Sequence, residues 1–145
     1  MLKGISPLLS PELLKLLAEM GHGDELVIGD ANFPSTSLGR RVVHAQGHGV
    51  LPMLDAVLRL LPLDDFVAAP VSLMKVVPGT LPVDEPPMWE DIRQCVLLQE
   101  GERNIEKLER FQFYERAKAA YAVIQTGERA LYACVIVKKG VLRGQ

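Results

Sequence analysis

Cysteine, tryptophan and histidine are all scarce in this 145-residue sequence, which holds two, one and three of them. Cys95 and Cys134 lie far apart and in no C-x-x-C spacing, so they read as buried thiols rather than a bridge. Long apolar runs are missing too. Ala117 to Ile124 is broken by Lys118 and falls far short of the roughly 20 residues that a membrane-spanning helix needs. Met1 to Leu9 has one lysine but no apolar stretch ending in a small-residue cleavage site, so a cytoplasmic location is expected. No block of like charge occurs, and 16 basic against 18 acidic residues leave a net charge of -2. That balance argues against nucleic acid or a membrane surface as a partner.

What is present is an ordinary globular composition, 48% hydrophobic and 23% charged, at a length that buries one core without staples. One domain over residues 1–145 is expected. Ser10 as N-cap, Pro11 at the first helical position and Gly21 as a stop frame a helix over Pro11 to Met20, with Leu13, Leu16, Leu17 and Met20 on one face. The run Glu25 to Asp30 reads as a strand buried on both sides, bracketed by His22 and Asp30. A loop to Gly39, a strand over Arg41 to Ala45, a helix over Leu51 to Leu61 and a strand over Val71 to Val77 follow. Pro78 to Pro87 should be irregular, Trp89 to Leu98 helical, and Asn104 to Arg110 is ambiguous. Phe113 to Ala120 reads as a helix, then Tyr121 to Thr126 and Tyr132 to Val137 as strands, with a hairpin across Thr126 to Ala130 as one way of joining them. Helices alternating with buried strands give an α/β layered domain with a mainly parallel sheet. In such sheets ligands bind beyond the carboxyl ends of strands, where Asp30 lies.

Three segments carry a resemblance. GHGDELVIGDANFP (Gly21 to Pro34), RFQFYERAKAAYAVIQTGERALYACVIVKKGV (Arg110 to Val141) and the opening MLKGISPLLSPELLKLLAEM are similar to the fucose mutarotase branch of the fucose mutarotase and ribose pyranase family. The resemblance implies a three-layer α/β/α fold and interconversion of the anomers of a small free sugar, L-fucose by branch, without metal or organic cofactor. It also implies a homo-oligomer, commonly a decamer of two pentameric rings, with sites near subunit contacts. By motif position His22 is similar to the family's catalytic acid, and Asp30, Arg110 and the triplet Tyr132, Ala133 and Cys134 to its sugar-binding groups. The family usually has Tyr-Gly-Asn or Tyr-Ala-Asn at that triplet, so Cys134 replaces an amide.

Exchange of anomers opens a cyclic hemiacetal: a proton leaves the anomeric hydroxyl, one is delivered to the ring oxygen, the freed bond rotates and the ring recloses. Acid–base groups and a positioning pocket suffice. Histidine titrates near neutral pH, and His22 sits between two glycines that leave its ring unshielded. A bland alternative has His22 capping the carbonyls of the preceding helix. Asp30 can accept from two vicinal hydroxyls, or merely close an Asx-turn. Arg110 can offer its planar fork to a sugar, or pair with Glu106 or Glu109. Tyr132 could hold a hydroxyl near the anomeric centre and share a proton path with His22, or simply pack at the start of a strand. Glu115 and Arg116 read as an ion-pairing face, and Trp89 and Phe33 as packing. His44 and His48, four apart with glycines at 47 and 49, are a weak metal signal. Two other functions compete: a non-catalytic sugar-binding or sensing subunit of a transport system, and a metal enzyme using His22, His44 and His48.

Overall fold

The computed structural model describes residues 1–144. Helix α1 (Pro11–Glu19) starts as its sequence dictates, with the Ser10 hydroxyl accepting from the Leu13 amide at 3.2 Å. Strand β1 (Glu25–Gly29) is followed by the four-residue helix α2 (Ser35–Leu38), inside the segment expected to be loop. Then come β2 (Val42–Ala45), α3 (Val50–Leu58), β3 (Val71–Met74), α4 (Pro87–Glu100), β4 (Ile105–Leu108), α5 (Arg110–Ala119), β5 (Ala122–Thr126) and β6 (Val135–Lys138). The ambiguous segment is thus an edge strand. Its residues are only partly buried, which is why its apolar signal is weak.

One six-stranded sheet runs in the order β2-β5-β1-β6-β3-β4. β1 pairs in parallel with β5, β5 with β2, and β3 with β4, whereas β6 runs antiparallel to both β1 and β3. The expected hairpin between the last two strands does not form, because β1 lies between them. The chain after β5 crosses the edge of β1 and returns down its far side, where Leu26, Val27 and Ile28 stand opposite Val137, Ile136 and Val135.

Alternation along the buried strands builds two cores. Leu26 and Ile28 of β1, Ile124 of β5 and Val135 and Val137 of β6 face α1, α3 and α4. Val27, Val123, Cys134 and Ile136 face Phe33 and the Phe113 and Ala117 face of α5. Burial on both sides makes β1 a continuous apolar run, and the architecture is the expected three-layer α/β/α sandwich on a mixed sheet. Among the described residues no helix is long and apolar enough to cross a membrane. Both cysteines are free, Cys134 buried and Cys95 half-buried.

Candidate active site

The register of β1 against β6 decides what meets at the carboxyl edge of the sheet. Ile28 stands opposite Val135, so the chain beyond each strand brings Asp30 beside Ala133 and Cys134. Met74 at the end of β3 and Arg110, two residues past β4, close the other side. Asp30, Phe33, Met74, Thr80, Arg110, Tyr114, Leu131, Tyr132 and Cys134 line a cavity of about 210 Å³. At roughly 30 Å³ per liquid water that is the volume of about seven waters, the scale of one small ring. It is smaller than the pockets that take drug-sized ligands.

Asp30 is buried, and its main chain is fixed from below. The Gln125 amide donates to the Asp30 carbonyl at 2.7 Å while bonding Ser35, and the Thr126 hydroxyl donates to the Gly29 carbonyl at 2.6 Å. Its carboxylate accepts from the Asn32 amide at 3.0 Å, so the Asx-turn and the cavity position are both real. Burial pushes the Asp30 carboxyl up; the amides of Asn32, Ala133 and Phe33 oppose that rise and Glu128 adds to it. The Cys134 thiol, buried beside Asp30, is pushed well up by burial and by that neighbouring charge, which keeps it neutral.

Arg110 takes neither of the partners its neighbours suggested. Glu109 instead accepts from the Phe111 amide at 2.9 Å and caps α5, while Glu106 bonds Ser72 at 2.7 Å and Arg116 at 3.0 Å. The Arg110 Nε is buried with no hydrogen-bond partner among the described residues. A buried unsatisfied donor is costly unless a ligand supplies its acceptor.

Tyr132 is the one non-glycine among the described residues with positive φ, at 57°. Expected as the first residue of a strand, it lies instead in a left-handed turn before β6, a conformation that costs an aromatic residue roughly 1–3 kcal/mol. Three bonds hold it there. Its hydroxyl oxygen accepts from the Val77 amide at 3.2 Å and pairs with the Thr80 hydroxyl at 2.6 Å, and its carbonyl accepts from the Trp89 indole at 2.8 Å. The Thr80 hydroxyl donates to the Val77 carbonyl, so the Tyr132 proton goes to Thr80.

His22 is at the other end of the molecule. It precedes β1 whereas Asp30 follows it, and six extended steps from Asp24 to Asp30 span about 20 Å. The helix-capping alternative for His22 fails, because the Lys139 ammonium bonds the Leu17 and Met20 carbonyls at the end of α1. His22 Nε2 bonds the buried Asp64 carboxylate at 3.0 Å, and its ring meets the edge of Phe66 with centroids 4.7 Å apart. Burial pushes the Asp64 carboxyl up, but the Phe66 amide and His22 outweigh it and hold it below the usual range. With Nε2 donating to a carboxylate, Nδ1 is left to meet a reactant.

Comparison with known proteins fits this geometry to a family. Residues 3–142 match the RbsD / FucU transport protein family. The chain belongs to that family. It is 50% identical over 143 residues to the L-fucose mutarotase of Actinobacillus pleuropneumoniae, covering 97% of each chain. It is 49% identical over 145 residues to the fucose mutarotase of Mus musculus, covering 97% of this chain and 95% of that one. The crystal structure of the Streptococcus pneumoniae fucose mutarotase in complex with L-fucose superposes with a TM-score of 0.92 at 44% identity, over 97% of this chain and 99% of that one.

Within this RbsD / FucU fold, Asp30, Arg110, Tyr132 and Cys134 line one cavity with Ala133 between the last two, and His22 does not join them in the same chain. Tyr114 was missed by the sequence reading. It sits one helical turn after Arg110 on α5 and lines the cavity, its phenol pushed up chiefly by burial. The i, i+4 spacing was legible, but only once α5 is known to begin at Arg110 rather than Phe113. Asp64 was missed as well, since 42 residues separate it from His22. Glu115 and Arg116 form ion pairs, with Lys118 and with Glu25 and Glu106. His44 bonds Gln46, and among the described residues no three His, Cys, Asp or Glu side chains converge on a metal position.

Proposed function

We propose that this chain is an L-fucose mutarotase, an isomerase that interconverts the α and β anomers by acid–base ring opening, with pyranose to furanose exchange of ribose open to the same chemistry. The observation that carries the reading is the pairing, in one ring-sized cavity, of the buried Asp30 carboxylate with the unsatisfied Arg110 Nε–H. A carboxylate accepts from two neighbouring hydroxyls and a guanidinium donates to hydroxyl or ring oxygens. Phe33, Met74 and Leu131 offer an apolar wall to the carbon face of the sugar. The 50% identity to L-fucose mutarotases over nearly the whole chain supports the choice of sugar.

In this reading His22 is the acid–base residue, oriented by Asp64, and comes from a neighbouring subunit. One end of a protomer carries His22 and the other the sugar cavity, about 20 Å apart. Such a head-to-tail contact is heterologous and closes into a ring when the rotation allows. We read the assembly as a decamer of two pentameric rings in the cytoplasm. Asp30, Arg110 and the Tyr132–Cys134 triplet fix the hydroxyls. His22 Nδ1 moves the proton between the anomeric hydroxyl and the ring oxygen, the bond from the anomeric carbon to that oxygen breaks, and the open aldehyde recloses on either face. Tyr132 assists, its oxygen accepting at the anomeric centre while Thr80 takes its proton. Cys134 as a neutral thiol leaves the triplet's contacts to its main chain.

Saturation-transfer NMR on L-fucose tests this directly. Accelerated exchange between the anomer signals supports the enzyme. Tight binding without faster exchange would favour the sensing or transport subunit that the family's description evokes.

A further inference from the structure

Trp89, the one tryptophan of the sequence, is 1% exposed and absent from the cavity wall, yet it grips a residue that is on it. It sits in the first turn of α4, where its own amide bonds the Pro86 carbonyl at 3.0 Å. The indole N–H donates to the Tyr132 carbonyl at 2.8 Å. Packing alone does not need that bond. A phenylalanine would fill most of the same apolar site, and an indole N–H buried here must find an acceptor.

That acceptor is the carbonyl of the one left-handed non-glycine residue described. From the other side the turn over Val77 and Thr80 holds the phenol of the same residue. The backbone of Tyr132 is therefore clamped at both its main-chain and side-chain ends. Its conformation sets the direction of the next peptide, and the register of β1 against β6 brings that Ala133 peptide beside the Asp30 carboxylate, whose charged form its amide favours. Strain of this type persists only where the surroundings over-determine it.

We propose that Trp89 is a positioning residue for sugar binding: its indole N–H, with the Val77 and Thr80 turn, locks Tyr132 in the left-handed turn that aims the Ala133 amide at Asp30. Trp89 touches no substrate and acts through Tyr132 and Asp30. The inference rests on the reading of the cavity as the sugar site.

Because the chain has one tryptophan, biosynthetic replacement by benzothienylalanine removes the indole N–H and keeps the ring shape. That protein and Trp89→Phe are compared with wild type in anomer exchange over a range of fucose concentrations, and in a carboxyl-NMR titration of Asp30. Loss of one buried hydrogen bond to the turn is expected to raise KM about tenfold and to lower kcat by less, since Tyr132 both binds and assists. The Asp30 carboxyl should titrate at higher pH, since an amide that favours its charged form is withdrawn. A merely structural tryptophan lowers the amount of active protein and leaves KM and the Asp30 titration alone. Unchanged KM and unchanged titration in the benzothienylalanine protein would overturn the proposal. Wild-type binding and exchange in Asp30→Asn would instead overturn the site reading, and the Asp30 titration would still decide whether Trp89 aims the Ala133 amide.

Discussion

Asp30 and Asp64 are the same residue type driven in opposite directions, and each direction has a consequence. Burial raises the Asp30 carboxyl, so the folded state disfavours its charge and loses stability as pH rises from the ordinary aspartate range through the raised value. Asp30→Asn is expected to raise the melting temperature at neutral pH and to abolish fucose binding, read by calorimetry on the same samples. Wild-type binding should weaken on acidification at a pH above the ordinary aspartate range. Asp64 has the opposite sign. Its lowered carboxyl contributes stability present above the unfolded value and lost as pH falls through the folded one. His22→Ala should slow anomer exchange by roughly 100- to 10,000-fold, the usual contribution of a general acid or base, with fucose binding largely kept. At this scale the sequence was most legible where a residue does two jobs in its own segment, as Asp30 does. Tyr114 and Asp64 escaped because their roles depend on a helix start and on a contact across the fold.

Elements carry these residues to their posts, and the antiparallel strand β6 carries most. Its amino end delivers Tyr132, Ala133 and Cys134 to Asp30, and its carboxyl end holds Asp64 beside His22. The Asp64 amide donates to the Lys138 carbonyl at 3.0 Å, the Gly23 amide to that of Lys139 at 2.8 Å, and the Gly140 amide to that of Pro62 at 2.8 Å. A Cβ on Gly140 would lie 2.5 Å from the Leu63 carbonyl oxygen, so Gly140→Ala must push that segment away. It is expected to uncouple Asp64 from His22 and to slow exchange while fucose binding persists, checked by histidine NMR and by exchange rates. Arg116 ties α5 to the sheet through Glu25 and Glu106. Its replacement by methionine leaves the Glu25 carboxylate unpaired and Glu106 with Ser72 alone, and should cost about 1–3 kcal/mol in urea unfolding. The sequence announced α1 and β1 through capping and an unbroken apolar run. It misled on β6, because a turn between two apolar runs suggests a hairpin while nothing local reveals that β1 has already taken the place between them. The left-handed Tyr132 was equally hidden, since only distant partners, Trp89, Val77 and Thr80, make that conformation tolerable.

Over the whole molecule, the governing fact is that His22 and the cavity at Asp30 occupy opposite ends of the same strand. The sequence already held it, in a buried run bracketed by His22 and Asp30, but the consequence needs the fold: a central strand is straight and packed on both faces, and no rearrangement short of unfolding brings its ends together. With His22 as the proposed acid–base residue, each site takes its two halves from two subunits. His22→Ala and Asp30→Asn proteins, each inactive alone, can be unfolded, mixed in equal amounts, reassembled and assayed for anomer exchange by saturation-transfer NMR. If His22 of one subunit serves the cavity of its neighbour, random assembly restores one intact pair in about four contacts, and about a quarter of wild-type activity is expected. A mixture as inactive as its components, in oligomers shown to contain both chains, would contradict the shared site.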